Sequence, residues 1–410
     1  MRLKRLEIRN YKSLRNVVIE PTPLTVLVGP NASGKSNFAD ALDFLSEVYR
    51  SGLEGAVAKK GGYENICYRH AKRSSAPIRF RVKLDLDRIV MNYGPRSGHL
   101  GHSLFDHVFE LRTTSRGLRS PFRISFEELS EFLLPSKELA LHLVRGEDEF
   151  RLEGPAIESA EELRGSLAEA FLGVLVDSDL AVPLVEGFVS RNPLIGFKSL
   201  RLFQLNPSHC RQAGAPTPNP GLDRFGANLP AVIEFLKKNH ATSYAKLIET
   251  TRRIMPSLES IETDFTHTKT LGLFLRESGF KRPWTSEDIS DGTIQAIALL
   301  AATFDPRIKV LVIEEPENSV HPWAIRTFVE AFRLASEQKQ IILTTHSPIL
   351  IDQIRPEELW VVQRPGAETL IDPVLSLDPS LKEAWGQGKF TLSEYLDSGA
   401  LPAAVPASGL

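Results

Sequence analysis

Two patterns of apolar residues recur along this chain of 410 residues. Near the amino terminus LTVLVG, Leu24 to Gly29, is an apolar run ending in glycine, as expected of a strand buried on both faces of a sheet. Phe38, Leu42, Leu45 and Tyr49 follow at helical spacing, so this region predicts a strand, a glycine-bearing turn and a helix. Before it, Leu6, Ile8 and Val17 to Ile19 predict short strands. From Ile78 to Leu86 the pattern becomes an alternation, with Ile78, Phe80, Val82, Leu84 and Leu86 on one side and Arg79, Arg81, Lys83, Asp85 and Asp87 on the other. That is a half-exposed antiparallel strand. Toward the other end VLVIEE (Val310 to Glu315), a helix-spaced stretch from Ala324 to Ser336, and IILTTH (Ile341 to His346) repeat the strand, helix, strand rhythm of a parallel sheet.

Between these ends the character changes. Residues 125–190 carry apolar positions at mixed helical spacing with acidic residues between them, and predict several helices. Gln212 to Gly221 holds three prolines and is a loop, and helical periodicity returns at Leu229 to Leu236 and Tyr244 to Met255. The expected organisation is an α/β lobe split by an insert: residues 1–90, a mainly helical insert over 91–257, a second half over 258–395, and a small-residue, Pro-rich tail over 396–410 expected to be disordered. An antiparallel β subdomain accompanies the first half.

Composition narrows the class. With 42% hydrophobic and 24% charged residues the chain can bury a sizeable core, and 49 Lys and Arg against 51 Asp and Glu leave a formal charge of −2, which excludes a wholly basic nucleic-acid coat. Cys67 and Cys210 are too few and too far apart for a disulfide framework or a Cys-rich zinc site, and are expected to be buried thiols in a reducing cytosol. The first residues contain no apolar core of a signal peptide, and no run of 18 apolar residues is present, so no membrane role is expected of this chain itself.

GPNASGKS, Gly29 to Ser36, satisfies G-x-x-x-x-G-K-[ST] between a strand and a helix. A chance match in a chain this long has a probability of roughly one or two in a hundred. Backbone N–H groups that wrap a phosphate require a glycine-rich loop, and the positive end of the following helix adds to the field. Gly29, Pro30, Asn31, Ala32, Ser33, Gly34, Lys35, Ser36 and Asn37 are therefore candidate ATP-binding residues, with Lys35 reaching the β- and γ-phosphates and Ser36 on Mg²⁺. Glu314 and Glu315 end an apolar strand, where open α/β sheets bind ligands: Glu314 is a candidate metal ligand, and Glu315 a candidate base or orienter of the attacking water. Neighbouring carboxylates on a strand point to opposite sides, which leaves open that one is structural. His346, after a third such strand, is a candidate γ-phosphate sensor, although alone a histidine there is more often structural.

In this order the motifs resemble ABC-type ATPases of the RecF and SMC branch, and a group of compact bacterial predicted ATPases filed under AAA. LKRLEIRNYKSL, the P-loop, ISDGT (Ile289 to Thr293), IEEPENSVHP and TTHSP carry the resemblance at the two ends; FQLNPSHCR (Phe203 to Arg211), GANLPAVIEFL (Gly226 to Leu236) and LSEYLDSGAL (Leu392 to Leu401) extend it. The resemblance implies ATP and Mg²⁺ as cofactors and a homodimer, or a higher assembly built on it, with nucleotide sandwiched between protomers. Ser290 and Gly292 would then act on the partner's nucleotide, residues 318–321 would cross the interface, and His346 would be the switch histidine. Two departures stand out. The signature reads SDGT, with Asp291 in place of a glycine near a polyanion, and the first glutamine after the P-loop is Gln204, too distant in sequence to assign to the magnesium-sensing role. The interval from Lys35 to Ser290 is 255 residues, long for a transporter ATPase and short for SMC arms.

Lys59, Lys60, Arg69, Lys72, Arg73, Arg79, Arg81 and Lys83, with one acid, Glu64, among them and Tyr63 and Tyr68 nearby, suit a phosphate backbone; a solvated face balanced by Asp85 and Asp87 is the alternative. His99, His102 and His107 in a Gly-rich segment point to a mobile loop rather than a metal site. Only 64 residues follow His346, too few for the toprim domain of overcoming-lysogenisation-defect nucleases, so any nucleic-acid cleavage is expected from a separate effector chain. The leading expectation is an ATP-driven dimerising switch that senses or handles nucleic acid and controls such an effector, as in phage defence. A RecF-like DNA-maintenance ATPase without an effector is the alternative, and a transport ATPase a third.

Overall fold

The structure of the protein is a computed structural model that describes residues 1–68, 76–89, 100–113, 121–146, 150–154, 199–399 and 401. The chain divides into two units: Met1–Pro21, Asn31–Leu200 and Val362–Asp372 form the first, and Thr22–Pro30, Arg201–Val361 and Pro373–Leu410 the second. This division falls elsewhere than at the expected boundaries, because residues 201–254 pack with the second unit rather than standing apart as an insert.

In the first unit, alternation is realised as an antiparallel sheet. β1 (Arg2–Tyr11) and β2 (Leu14–Ile19) make a hairpin, while β3 (Leu24–Val28) belongs to the second unit. β4 (Ile78–Ile89), β5 (Leu100–Thr113), β6 (Phe122–Leu134), β7 (Glu138–Arg145) and β8 (Phe150–Glu153) complete a seven-stranded order β2-β1-β4-β5-β6-β7-β8. The helix after the P-loop, α1 (Lys35–Lys59), buries Phe38, Leu42, Phe44, Leu45 and Tyr49, and its backbone leaves helical geometry at Gly52. Phe44 of α1 lies 5.5 Å from the Tyr11 ring and 5.6 Å from Phe80, and Phe80 stacks on Phe109 at 5.4 Å. Such pairs contribute about 0.5–1.5 kcal/mol beyond their buried area and pin the helix to the sheet.

Of residues 125–190, where spacing predicts helices, the described part up to Glu153 forms strands β6, β7 and β8. The inward face of β6 carries Glu127 and Glu131, both fully buried, on either side of Leu129. Carboxylates on a core face break the apolar alternation, so they resemble the exposed side of a helix. Glu127 is tolerated because His107 Nε2 lies 3.1 Å from one oxygen and Arg145 Nη1 3.8 Å from the other, while Tyr49 of α1 meets His107 Nδ1. His107, expected in a loop, is thus a buried residue of β5, and His102 shares that strand. His99, and the part of the predicted helices beyond residue 154, lie outside the described residues.

The second unit has the parallel sheet. β3, β9 (Leu200–Phe203), β13 (Val310–Glu314), β14 (Gln340–Thr344) and β15 (Leu359–Gln363) lie in the order β15-β3-β14-β13-β9; β10 (Leu258–Phe265), β11 (Leu271–Glu277) and β12 (Trp284–Thr285) form a separate three-stranded sheet. Every residue of β3, β13 and β14 is buried, as the apolar runs predict. Four longer helices cover this unit: α2 (Leu229–Asn239), α3 (Ala241–Ile254), α4 (Asp291–Phe304) and α5 (Pro322–Ser336). α4 is buried along its whole length from Ile294 to Phe304 and packs against α3 and α5. Both cysteines are buried thiols, and burial pushes Cys210 up to about 11. No helix among the described residues is long and apolar enough to cross a membrane. Of the expected tail, residues 400 and 402–410 lie outside the described residues, whereas Leu392–Asp397 is a helix with a Thr391–Glu394 capping box.

The far end of α4 is closed by a buried lysine: Lys339 Nζ donates to the carbonyls of Thr303 and Asp305, each at 2.7 Å. Lys339→Met should leave these acceptors unmet and lower stability by about 1–3 kcal/mol. A urea unfolding midpoint unchanged from wild type would contradict this.

Candidate nucleotide site

Parallel register determines where the chemistry is displayed. Glu314 of β13 pairs with Thr344 of β14, and Thr344 pairs with Leu27 of β3, so three buried strands end side by side. From this one edge the chain emerges at Gly29 and Pro30, at Glu315, and at Thr345 and His346. The carboxyl ends of parallel strands are where open α/β sheets take ligands.

Glu315 leaves β13 with φ +48°, an uncommon conformation for a residue with a long side chain, and its N–H donates to Thr344 O at 2.9 Å. The turn throws its carboxylate out of the strand, so the two neighbouring acids separate: Glu314 stays buried, whereas the Glu315 side chain is 44% exposed. Asn318 donates to Glu315 Oε2 at 2.8 Å, and His346 Nε2 lies 3.9 Å from Glu315 Oε1. Glu317, to which the motif reading assigns no role, ties the two loops together: its Oε1 accepts from Thr345 Oγ1 at 2.6 Å and from His346 N at 3.1 Å. The only sequence signal for it was a third acid in EEPEN.

The rest of the P-loop, Asn31–Ser36, lies in the first unit. Ala32 and Gly34 both take positive φ, +61° and +112°, and Lys35 is buried at the start of α1. Thr369 supports the loop from behind. Its hydroxyl donates to Ser33 O at 2.9 Å and meets Ser13 Oγ at 2.8 Å, while Asn37 Nδ2 donates to Ser13 Oγ at 2.7 Å. A Cβ on Gly34 would stand 2.1 Å from Thr369 Oγ1, so only glycine fits. One turn further on, burial disfavours the Asp40 carboxylate, but bonds from Lys12, Lys60 and Tyr11 hold its pKa below the ordinary value.

Glu314 is where a metal would be expected, and its environment suits one. Glu314 is 8% exposed, and its carboxylate carries a cation of the chain itself, with Arg224 Nη2 3.3 Å from Oε1. A buried carboxylate oxygen that calls for positive charge is the kind of hard donor that Mg²⁺ prefers.

The signature segment caps α4. Ser290 Oγ accepts from Thr293 N at 3.2 Å, and Gly292 has no room for a side chain, since a Cβ would stand 2.8 Å from Ser319 O. The loop after Glu315 is thus packed on the signature. Asp291, the unexpected acid, is neutralised by Arg211, whose Nη2 lies 2.5 Å from Oδ1. Gln204, unassignable from spacing, follows β9 directly, and β9 is the neighbour of β13 in the sheet.

The basic cluster reads differently in three dimensions. Lys59 pairs with Glu47, Lys60 with Asp40 and Asp43, Arg79 with Glu110, and both Arg81 and Lys83 with Asp106. Tyr63 and Tyr68 are buried and so cannot stack on bases. Arg69, Lys72 and Arg73 lie outside the described residues.

The strand order and the motifs at the strand ends define a P-loop ATPase of the ABC, SMC and RecF type. A family model described as "AAA domain, putative AbiEii toxin, Type IV TA system" matches residues 24–352, and the chain belongs to that family. It is 23% identical over 384 residues to the OLD nuclease of Thermus scotoductus, which covers 88% of this chain and 62% of that protein. It is 31% identical over 106 residues to the DNA replication and repair protein RecF of Cyanothece, 24% of this chain and 28% of that one. The chain thus spans under two thirds of either relative. The structure of an SMC head bound to the C-winged helix domain of ScpA matches 90% of this chain and 97% of that chain with a TM-score of 0.51 at 12% identity, a likeness of fold.

Thr369→Val removes the hydroxyl bonds behind the P-loop while keeping the shape. Loss of about 1 kcal/mol of support should weaken ATP binding by roughly five-fold. Titration with a fluorescent ATP analogue checks this, and an unchanged affinity would remove Thr369 from the site.

Proposed function

We infer that the protein binds and hydrolyses ATP between two copies of itself. The observation that carries this reading is the juxtaposition of Glu315 and His346 at the sheet edge from which the P-loop departs. Lys35 and the P-loop N–H groups would bind the phosphates. Glu315, turned out of its strand and oriented by Asn318, would align the attacking water and take its proton. His346, whose backbone N–H is held by Glu317, would report the γ-phosphate. Ser36 and Glu314 would hold Mg²⁺, which when bound neutralises charge on the phosphate oxygens. Ser290 and the N–H of Gly292, at the positive end of α4, would act on the nucleotide of the partner protomer.

The switch so formed serves nucleic-acid transactions and controls a separate effector. Support comes from relatives, one named a nuclease and one a DNA replication and repair protein. The ion pairing of the described Lys59–Lys83 residues moves the source of contact away from that strand face. A RecF-like role without an effector is the second reading, favoured by the 31% identity to RecF.

Glu315→Gln should bind ATP, lose about 10²-fold or more of the turnover, and elute as a dimer in ATP. A gel-filtration profile indifferent to ATP would sink the sandwich. Lys35→Ala should not bind ATP, and Ser290→Arg mixed with it should recover about one active site per mixed dimer if catalysis is shared in trans. Anisotropy of labelled duplex DNA with ATP-loaded Glu315→Gln tests the nucleic-acid role: binding without other chains favours the RecF-like reading, and binding only with a co-purified protein favours an effector.

A further inference from the structure

The two arginines that neutralise Glu314 and Asp291 lie on one stitched segment of the second unit, residues 204–228. Its two legs are joined by backbone bonds from Gln204 N to Arg224 O at 2.9 Å and from Asn206 N to Phe225 O at 3.0 Å. Cys210 Sγ adds a contact to Phe225 O at 3.7 Å, and Gly226 sits so close that a Cβ there would be 2.3 Å from that sulfur. One leg ends in Arg211, which holds Asp291 and also donates to Ser286 O, while Ser286 Oγ donates back to Arg211 O at 3.0 Å. The other leg carries Arg224, whose guanidinium lies on Glu314 and 5.6 Å over the Phe225 ring.

We propose that Arg224 is the counter-ion of the metal-binding carboxylate before nucleotide arrives, and that the 204–228 strap transmits its displacement to the signature through Arg211. The inference rests on the ATP-site reading above and deepens it.

The physical argument has two steps. A carboxylate as buried as Glu314 needs a positive partner, and a divalent cation brought to the same oxygens makes the guanidinium redundant and repelled. Arg224 must then yield, and its backbone cannot shift alone, because it is bonded to the leg that ends in Arg211. The segment that moves holds Asp291, the first residue of α4, beside Ser290 and Gly292. Since those residues would serve the partner's nucleotide, the strap provides a route from one site of the dimer to the other. Arg224 and Arg211 are positioning residues in this scheme, acting through Glu314 and Asp291.

The test titrates Mg²⁺ into protein at fixed mant-ATP, in the Glu315→Gln background so that no turnover intervenes, and reads the Mg²⁺ midpoint of nucleotide binding. Arg224→Gln should lower that midpoint by about five-fold, the lower range of coupling between sites. Arg224→Lys, which keeps the charge, should return it most of the way to the parent value. Arg211→Gln should shift the same midpoint although it does not touch Glu314, and the double variant should depart from the product of the single effects. An unmoved midpoint in a folded Arg224→Gln protein overturns the counter-ion, and multiplicative effects of the two substitutions overturn the strap. A parent protein that binds no mant-ATP overturns the nucleotide site itself, an outcome distinct from normal binding with an unmoved midpoint.

Discussion

The structure depends on the alignment of three strands with no exposed residue. β3, β14 and β13 are buried throughout, so each is held in register by apolar packing above and below and by the parallel ladder between them. A slip by one residue would reverse every side chain and bury Glu315 in place of Glu314. The register therefore decides which acid stays in the sheet and which is turned out beside His346. The start of the P-loop, the loop after Glu315 and His346 follow as the continuations of three strands that stop together.

Buried charge is the second constraint, and it is met by the same device in both units. Glu127 in the first unit has His107 and Arg145, while Glu314 in the second has Arg224. Burying a carboxylate without a partner is costly enough that these cations are part of the fold. The difference lies in what can replace them. His107 and Arg145 surround a fully buried oxygen pair, whereas Arg224 occupies a position that the ATP-site reading gives to Mg²⁺. A structural ion pair and a functional one can thus be chemically alike and differ only in whether a competitor is expected.

Legibility of the chain followed the apolar pattern. Runs such as Val310–Ile313 and the alternation from Ile78 to Leu86 were readable because each face had one character. β6 was not, because Glu127 and Glu131 face its core, and no local rule distinguishes a buried carboxylate from a solvated one. The described Lys59–Lys83 charges were hard to read in the opposite way: Arg79, Arg81 and Lys83 look available until Glu110 and Asp106 are brought across from β5.

By itself, the sequence determined the strand, glycine turn and helix around Lys35, the order of the motifs, and the identity of the residues that end each buried strand. These depend on local spacing and on side-chain chemistry, which a linear chain displays. Only the tertiary structure decided which charges have partners, that Thr369 supports a loop more than 300 residues away, and that Arg211 and Arg224 share one strap. Those facts rest on contacts between segments distant in sequence, and long-range contact leaves no periodic trace along the chain.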